Sequence, residues 1–459
     1  MAISRIPARS PGRAATRAAR YAAGKALRRR VPRSSHALWK PAAGRPDPVE
    51  LLERSDRSRV ARLLPIRYGR MALTPFTFLR GAAGVMAHDL ATTPTTGLRV
   101  QLCGDAHVGN FGAFATPERD RVFDVNDFDE TLPGPWEWDV KRLATSLVLA
   151  SRQNGFSRGI PRKAARAAVR SYRRSMALYA QMRYLDLWYA HIDLESLSTQ
   201  VPRPGRKDIR RTLVKASHRT GFHAFPRLVE PVHGRYRIRD VPPLIVHYRD
   251  HADAAASARF YADYLATLPP ERRMILDRYH LVDVAQKVVG VGSVGTVCSI
   301  LLLMGDDDVR DPLFLQLKQA QASVLEPYGG PSVYHNHAER VVVGQHLIQE
   351  SSDVLLGWST LDSKDFYVRQ LRDMRASIDV VTLGPKGLIG KGEACGAALA
   401  RAHARTGDPA RISGYLGEGD PFDAAVTDFA EAYADQTERD HAEFLRAIKK
   451  GRIPIAVGV

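Results

Sequence analysis

The stretch VDVAQKVVGVGSVGTVCSILLLMGDDDVRDPLFLQLKQA, residues 282–320, decides how this chain is read. Its β-branched and apolar runs, separated by a Gly-rich turn and an Asp-rich turn, predict three antiparallel strands. Gly290, Gly292 and Gly295 spell G-x-G-x-x-G, a pattern that in a dinucleotide fold stands between a strand and a helix. Here TVCSILLL follows, which is another strand. The glycines therefore cap a β-hairpin, and with Ser293 inside the turn they are candidate phosphate contacts.

Working outward, FLQLKQA places Lys318 in the third strand, inside an apolar run. Burying an ammonium group is costly unless it is paired, so Lys318 calls for an acidic partner or a phosphate. The next predicted helix, within HAERVVVGQ, offers Glu339. A glycine hairpin over phosphates, a lysine on the third strand and a glutamate on the following helix are the nucleotide-binding parts of a protein kinase. Val297 completes the longer G-x-G-x-x-G-x-V form. Two plainer readings stand beside this one. A tight hairpin with no ligand also uses one or two glycines, and Lys318 near Gln316 and Gln319 also suits an edge strand facing water.

A second constellation lies upstream. GLRVQLCG reads as a strand running into CGDAHVGNFG (103–112), and DRVFDVNDF as a strand running into DVNDFDE (124–130). Together they are expected to form a hairpin-like platform with acids and amides at one rim. Asp105 and Asn110 are five residues apart, the spacing of a kinase catalytic loop. Asp105 would accept the proton of a substrate hydroxyl, and the Asn110 side-chain oxygen would bind Mg²⁺. Asp127, just ahead of Phe128, would be the second metal ligand, with Asp124, Asp129 and Glu130 in reserve. Two such oxygens, completed by phosphate and water, suit Mg²⁺. Asn and Asp also favour plain turns, but a turn leaves the matched loop at 105–110 unexplained.

GDAHVGN followed by NDFD resembles the G-D-x-H-x-x-N and I-D-F motifs of aminoglycoside and choline kinase-like phosphotransferases. The resemblance implies that Asp139, in WEWDVKRLA, braces the catalytic loop and that His107 fills the family's second histidine position, while Cys103 replaces the first. Taken together, CGDAHVGNFG, FDVNDFDET, WEWDVKRLA and ARAHARTGD are similar to a bacterial family known as domain of unknown function 2252, over residues 25 to 450. The resemblance implies a two-lobed kinase-like α+β fold with ATP and Mg²⁺ as cofactors, and no established substrate. The order of parts departs from a protein kinase: the hairpin, lysine and glutamate follow the catalytic loop, and AALARAHARTGD resembles the helix that normally leads into it. A circular permutation accounts for both.

Composition sets the remaining bounds. The chain has 459 residues, a formal charge of +18 and 44% hydrophobic residues, enough to fill a large core. Twelve Lys and Arg and no acid fall in the first 46 residues, which leaves only +6 for the other 413. That arm is expected to be partly frayed, with its later part docked on the body, and it would offer weak contact to nucleic acid or an anionic lipid surface. Three scattered cysteines and no membrane-length apolar run predict a reducing cytoplasm. The expected organisation is the arm (1–46), a helical lobe with the catalytic loop (47–280), a β-rich nucleotide lobe (281–375) and returning helices (376–459). Residues 161–195 read as one helix, and residues 150–280 are expected to build much of the acceptor side.

These readings favour an ATP-dependent phosphotransferase acting on a small-molecule hydroxyl acceptor, because little chain between Asp127 and Asp139 is left for a protein-binding activation segment. A nucleotide-binding pseudokinase scaffold, transfer of AMP by a reversed nucleotide, and a surface binder driven by the arm stand as alternatives.

Overall fold

The computed structural model describes residues 15–195, 221–247, 254–288, 290, 292, 294–305, 311–371 and 379–456. Within them the fold is α+β: a helical body, a six-stranded antiparallel sheet, and small two-stranded sheets that include the acidic segments. Five short helices come first: α1 (Arg17–Ala26), α2 (Pro48–Asp56), α3 (Leu64–Met71), α4 (Pro75–Gly81) and α5 (Ala83–Leu90). Proline opens α2, α3 and α4 in their first turns, where a missing N–H is harmless, and Thr74 forms a capping box with Thr77 on α4.

Four strands follow: β1 (Arg99–Leu102), β2 (Phe111–Ala115), β3 (Arg121–Val125) and β4 (Leu132–Pro135). The expected platform of two adjacent strands is not what forms. β1 pairs with β4, and β3 pairs with β2. The second strand, FGAFA, is buried at every position and shows no alternation that would mark it. Its turn back to β3 closes a short loop, which costs little entropy. The two small sheets nonetheless bring the ends of β1 and β3 to one side of the body.

The centre of the body is α6 (Trp136–Gln153), of which nearly every residue is buried. It is flanked by α7 (Gly159–Tyr179), which is followed by the short α8 (Tyr184–Tyr189). The single helix expected across 161–195 is thus split. Beyond Ala180 only Leu187 of the next ten residues is buried, so no apolar stripe remains to hold one continuous helix.

The sheet region starts with α9 (Gly221–Leu228), the hairpin β5 (Val229–Val232) and β6 (Arg235–Ile238), β7 (Ile245–Val246), α10 (Ala254–Thr267) and α11 (Pro270–Leu276). The stretch that decided the reading forms β8 (His280–Lys287), β9 (Cys298–Met304) and β10 (Pro312–Ala320), followed by α12 (His337–Ile348), β11 (Gly357–Leu361) and β12 (Lys364–Gln370). The strand order is β11-β12-β10-β9-β8-β7. Side chains alternate across it as the period of two requires: Ile300 and Leu302 join Ala224 and Ile245 on one face, whereas Leu303 and Leu315 join Phe260 and Tyr264 on the other. Residues of α9 to α11 therefore pack on the faces of the sheet. Residues 196–220 and 248–253 lie outside the described residues.

The chain returns to the body as α13 (Pro385–Thr406), α14 (Pro409–Leu416) and α15 (Pro421–Lys449). A Cβ on Gly396 would lie 2.2 Å from the Ala168 carbonyl oxygen, so α13 and α7 approach as closely as their alanine- and glycine-rich faces allow. The end of α13 meets β1, where the Gln101 amide donates to Thr406 Oγ1 at 3.1 Å.

From residue 15 onward the basic arm is a packed part of the body. α1 crosses α14 at two glycines: a Cβ on Gly24 would sit 1.9 Å from the Arg411 carbonyl oxygen, and one on Gly414 would sit 2.1 Å from that of Tyr21. Arg28 donates to the carbonyls of Gly414 and Tyr415, and Arg33 to that of Leu416. These are the orphan acceptors of a helix C-terminus, which favours cations. Arg45 bridges buried Asp89 and Asp440.

Candidate functional site

The loop after β1 is held by one face of α6. Asp139 accepts from the amides of Cys103 (2.8 Å) and Gly104 (3.1 Å), Ser146 Oγ accepts from the Val108 amide (2.9 Å), and Arg142 Nε donates to Asp105 Oδ1 at 2.5 Å. Positions 139, 142 and 146 share a helix face because they are three and four residues apart. Gly104 has φ +84°, and a Cβ there would lie 2.2 Å from the Glu130 carbonyl oxygen, so the turn into Asp105 needs glycine. His403 of α13 reaches Asp139 at 3.3 Å from the other side.

Asp105 is mostly buried, and burial raises its carboxyl above the ordinary range; Arg142 opposes this and nearby Asp127 adds to it. His107 is buried and pushed well below the usual histidine value, first by desolvation and then by Arg80 and Arg142, so it is neutral. Its Nδ1 accepts from the Gly109 amide at 3.1 Å, which puts the proton on Nε2, 3.7 Å from Asp105. His107 thus shapes the loop. Asn110 Nδ2 donates to the Asp105 carbonyl at 2.8 Å, leaving the side-chain Oδ1 as the atom available to a cation.

The acidic segment divides its carboxylates among different tasks. Asp124 is fully buried, ion-paired to Arg401, and accepts from the Glu350 amide, so it belongs to the core and not to a ligand set. Glu130 accepts from the Val324 amide at 2.8 Å. Asp127 lines the cleft, with one oxygen 3.3 Å from the Asp129 amide. The Asn126 amide donates to the Asn110 carbonyl at 2.9 Å, so Asn110 and the residue before Asp127 are tied directly together.

Lys318 comes to this same rim from the sheet. Its ammonium is ion-paired with Asp129, whose other oxygen accepts from Tyr367 Oη at 2.8 Å. Burial disfavours both charges, but the mutual field outweighs it: Lys318 is raised, and Asp129 is held down at about 2. The glutamate expected to hold this lysine does not do so. Glu339 sits in the first turn of α12, where burial raises its carboxyl against the field of His335, and the ion pair of Lys318 is made with the acidic segment instead. The contribution of α12 is instead Arg340, fully buried, which donates to the carbonyls of Asp129, Thr131 and Gln321.

The glycine turn lies over this rim and is fastened from the body. Arg70 donates to the Gly290 carbonyl at 2.5 Å, Arg67 to that of Gly292 at 2.9 Å and Arg59 to that of Val294 at 2.7 Å, while the Val60 amide donates to that of Gly295. Gly295 has φ +95°, a conformation that favours glycine. Ser293 lies outside the described residues. Beneath the turn is a cleft of about 710 Å³ that Asp105, Asp127, Asp129, Glu130 and Gly292 all line, together with Arg80.

The cleft thus gathers Asp105, Asp127, Gly292 and Asp129, and with Asn110 and Lys318 at its rim it joins segments nearly two hundred residues apart. A family model described as an uncharacterized protein conserved in bacteria (DUF2252) matches residues 59–447. The chain belongs to this family. The DUF2252 match includes Asp105, Asn110, Asp127, Asp129, Gly292 and Lys318, whereas α1, α2 and the arm precede it. No curated protein and no solved structure matches the chain. No described helix is long and apolar enough to cross a membrane.

Sequence reasoning missed Asp129 as the lysine partner, and it missed Arg80, Arg142 and Arg340. Arg142 carried a usable signal, since it stands three residues after Asp139 on the helix already assigned to the loop. Arg80, the single cation in TPFTFLRGAAG, carried none beyond its apolar surroundings.

Proposed function

We propose that this DUF2252 protein is an ATP- and Mg²⁺-dependent phosphotransferase of kinase-like, circularly permuted architecture, acting on a small-molecule hydroxyl. The observation that carries the reading is the meeting of Lys318 with Asp129, two residues past Asp127, on the same rim as Asp105. A glycine hairpin, a third-strand lysine and an acid-amide loop have no packing reason to converge on a solvent-open cleft. Phosphoryl transfer needs them there, because it depends on positioning and charge neutralisation. The contact of Thr406 with Gln101 supports the permutation: α13 ends beside the strand that enters the loop, although the two lie some three hundred residues apart in sequence.

The donor set fits Mg²⁺. Asn110 Oδ1 and Asp127 would hold it, and when bound it neutralises charge on the phosphates. Lys318 would bind phosphate oxygens and is kept charged by Asp129. Asp105 would accept the proton of the acceptor hydroxyl, with Arg142 and the Asn110 amide fixing its position. Asp139 and Ser146 keep the loop backbone rigid beneath it.

The test is the thermal midpoint with and without ATP and Mg²⁺, since a ligand at a hundred times its dissociation constant adds about 2.7 kcal/mol. A Mg²⁺-dependent rise is expected, and Asp127→Asn should remove it. Asp105→Ala should keep the rise and abolish turnover. Absence of any rise at millimolar nucleotide would sink the reading. A rise without turnover in any hydroxyl-acceptor screen would leave the nucleotide-binding scaffold.

A further inference from the structure

We propose that Arg80 is a catalytic residue that contacts the phosphoryl group while it is being transferred; this rests on the phosphotransferase reading above. Arg80 is near the end of α4, beneath the glycine turn: a Cβ on Gly292 would lie 3.4 Å from the Arg80 carbonyl oxygen. Its side chain runs over the Phe76 ring, with the guanidinium carbon 5.9 Å from the ring centroid, and the residue lines the cleft. A Cβ on Gly109, inside the catalytic loop, would lie 3.7 Å from Arg80 Nε. Arg80 therefore stands between the turn proposed to cover the phosphates and the loop proposed to carry the base.

The absence of any ion pair among the described residues sets it apart from its neighbours. Arg59 and Arg67 are ion-paired with Asp56 and donate to turn carbonyls, although Arg59 Nε makes no hydrogen bond among the described residues, and Arg142 is paired with Asp105 and donates to the Leu79 carbonyl. Arg80 Nε is shut off from solvent and has no partner among the described residues, and the rest of its guanidinium makes no ion pair there either. Asp105, Asp127 and Asp379 act on it only through their fields, against the larger effect of burial. A buried donor without an acceptor is costly unless a ligand supplies one. The ligand it fits is a group with several anionic oxygens, which a planar guanidinium meets with paired donors.

In the balanced step the acceptor hydroxyl gives its proton to Asp105 and its oxygen forms a bond to the γ-phosphorus of ATP. The bond from that phosphorus to the β–γ bridging oxygen breaks, and ADP leaves with the electron pair. Negative charge is spread over the three oxygens in transit, where Arg80 stays protonated and donates throughout. Phe76 keeps the stem in place, so little ordering is left to do as charge develops.

The experiment compares wild type with Arg80→Ala in the presence of Mg²⁺–ADP, with and without aluminium fluoride, which mimics the phosphoryl group in transit. Both proteins should show the same midpoint rise with Mg²⁺–ADP, and only wild type the further rise with aluminium fluoride. In turnover, kcat should fall about a hundredfold or more with the KM for ATP little changed. A full fluoride increment in Arg80→Ala overturns the proposal, as does a loss of ADP binding equal to the loss of kcat. If wild type responds to no nucleotide, the phosphotransferase reading fails, and this inference fails with it. Arg80→Gln keeps the stem over Phe76 and removes the charge, so it carries the same comparison if Arg80→Ala does not fold.

Discussion

The arginines of the arm and those around the cleft look alike in sequence, yet the structure uses them in opposite ways. Arg28, Arg33 and Arg45 close helix ends and bridge buried carboxylates, so each is matched inside the protein. Around the cleft, Arg59, Arg67 and Arg142 are ion-paired with Asp56 or Asp105, whereas Arg80 makes no ion pair among the described residues and its buried Nε has no hydrogen-bond partner there. A count of charges would put the function in the arm. The proposed function instead uses the cation under the glycine turn, because a cation already paired has little left to offer a ligand.

The largest effect expected from this contrast is in the arm. Arg45→Ala would leave Asp89 and Asp440 buried without their shared cation, and breaking such a pair costs about 3–5 kcal/mol. Chemical denaturation should show a loss of that size, while the remaining folded protein keeps its Mg²⁺–ATP midpoint rise. Were Arg45→Ala as stable as wild type, the arm would not be a packed element of the body.

The second effect is in the cleft and is read by pH. Under the proposed function Asp105 must be ionised to act as a base, and burial raises its carboxyl while Arg142 holds it back. Turnover should therefore be lost as pH falls through a value above the ordinary aspartate range, and Arg142→Gln should move that acidic limb further up. A carboxyl raised on folding contributes stability that is present below its unfolded pKa and lost as pH rises through the folded value. The variant should accordingly lose more stability at neutral pH than in acid. An unmoved limb would mean that Asp105 is not the titrating base.

How much of this was legible in the sequence follows from what each residue answers to. The sheet strands were readable because β9 and β10 show long apolar runs bounded by turn residues, and α6, α13 and α15 because their helical periodicity is sustained. β2 was not, since FGAFA is buried on both faces and so loses its alternation. In the site, the spacing of Asp105 and Asn110 is local and could be seen. The partner of Lys318 could not: Asp129 and Glu339 are both carboxylates at plausible places, and only the approach of β10 to the acidic segment chooses between them. The unmatched state of Arg80 is likewise a property of three-dimensional neighbours and has no sequence mark.

The smallest effect sharpens the contrast most cleanly, because it separates two roles for one charge. Arg28 donates at 2.9 Å and 2.6 Å to carbonyls in the last turn of α14, and it is half-buried there. Arg28→Ala should cost about 1 kcal/mol, the net worth of such bonds, seen as a lower denaturation midpoint with an unchanged slope. If instead the arm served to bind nucleic acid, losing one phosphate contact would lower the salt slope of DNA retention by about one, with little effect on folding. A cation cannot donate the same N–H groups to a helix end and to a phosphate, so a fall in stability with no change in salt slope assigns Arg28 to the fold, and the reverse result would return the arm to the surface.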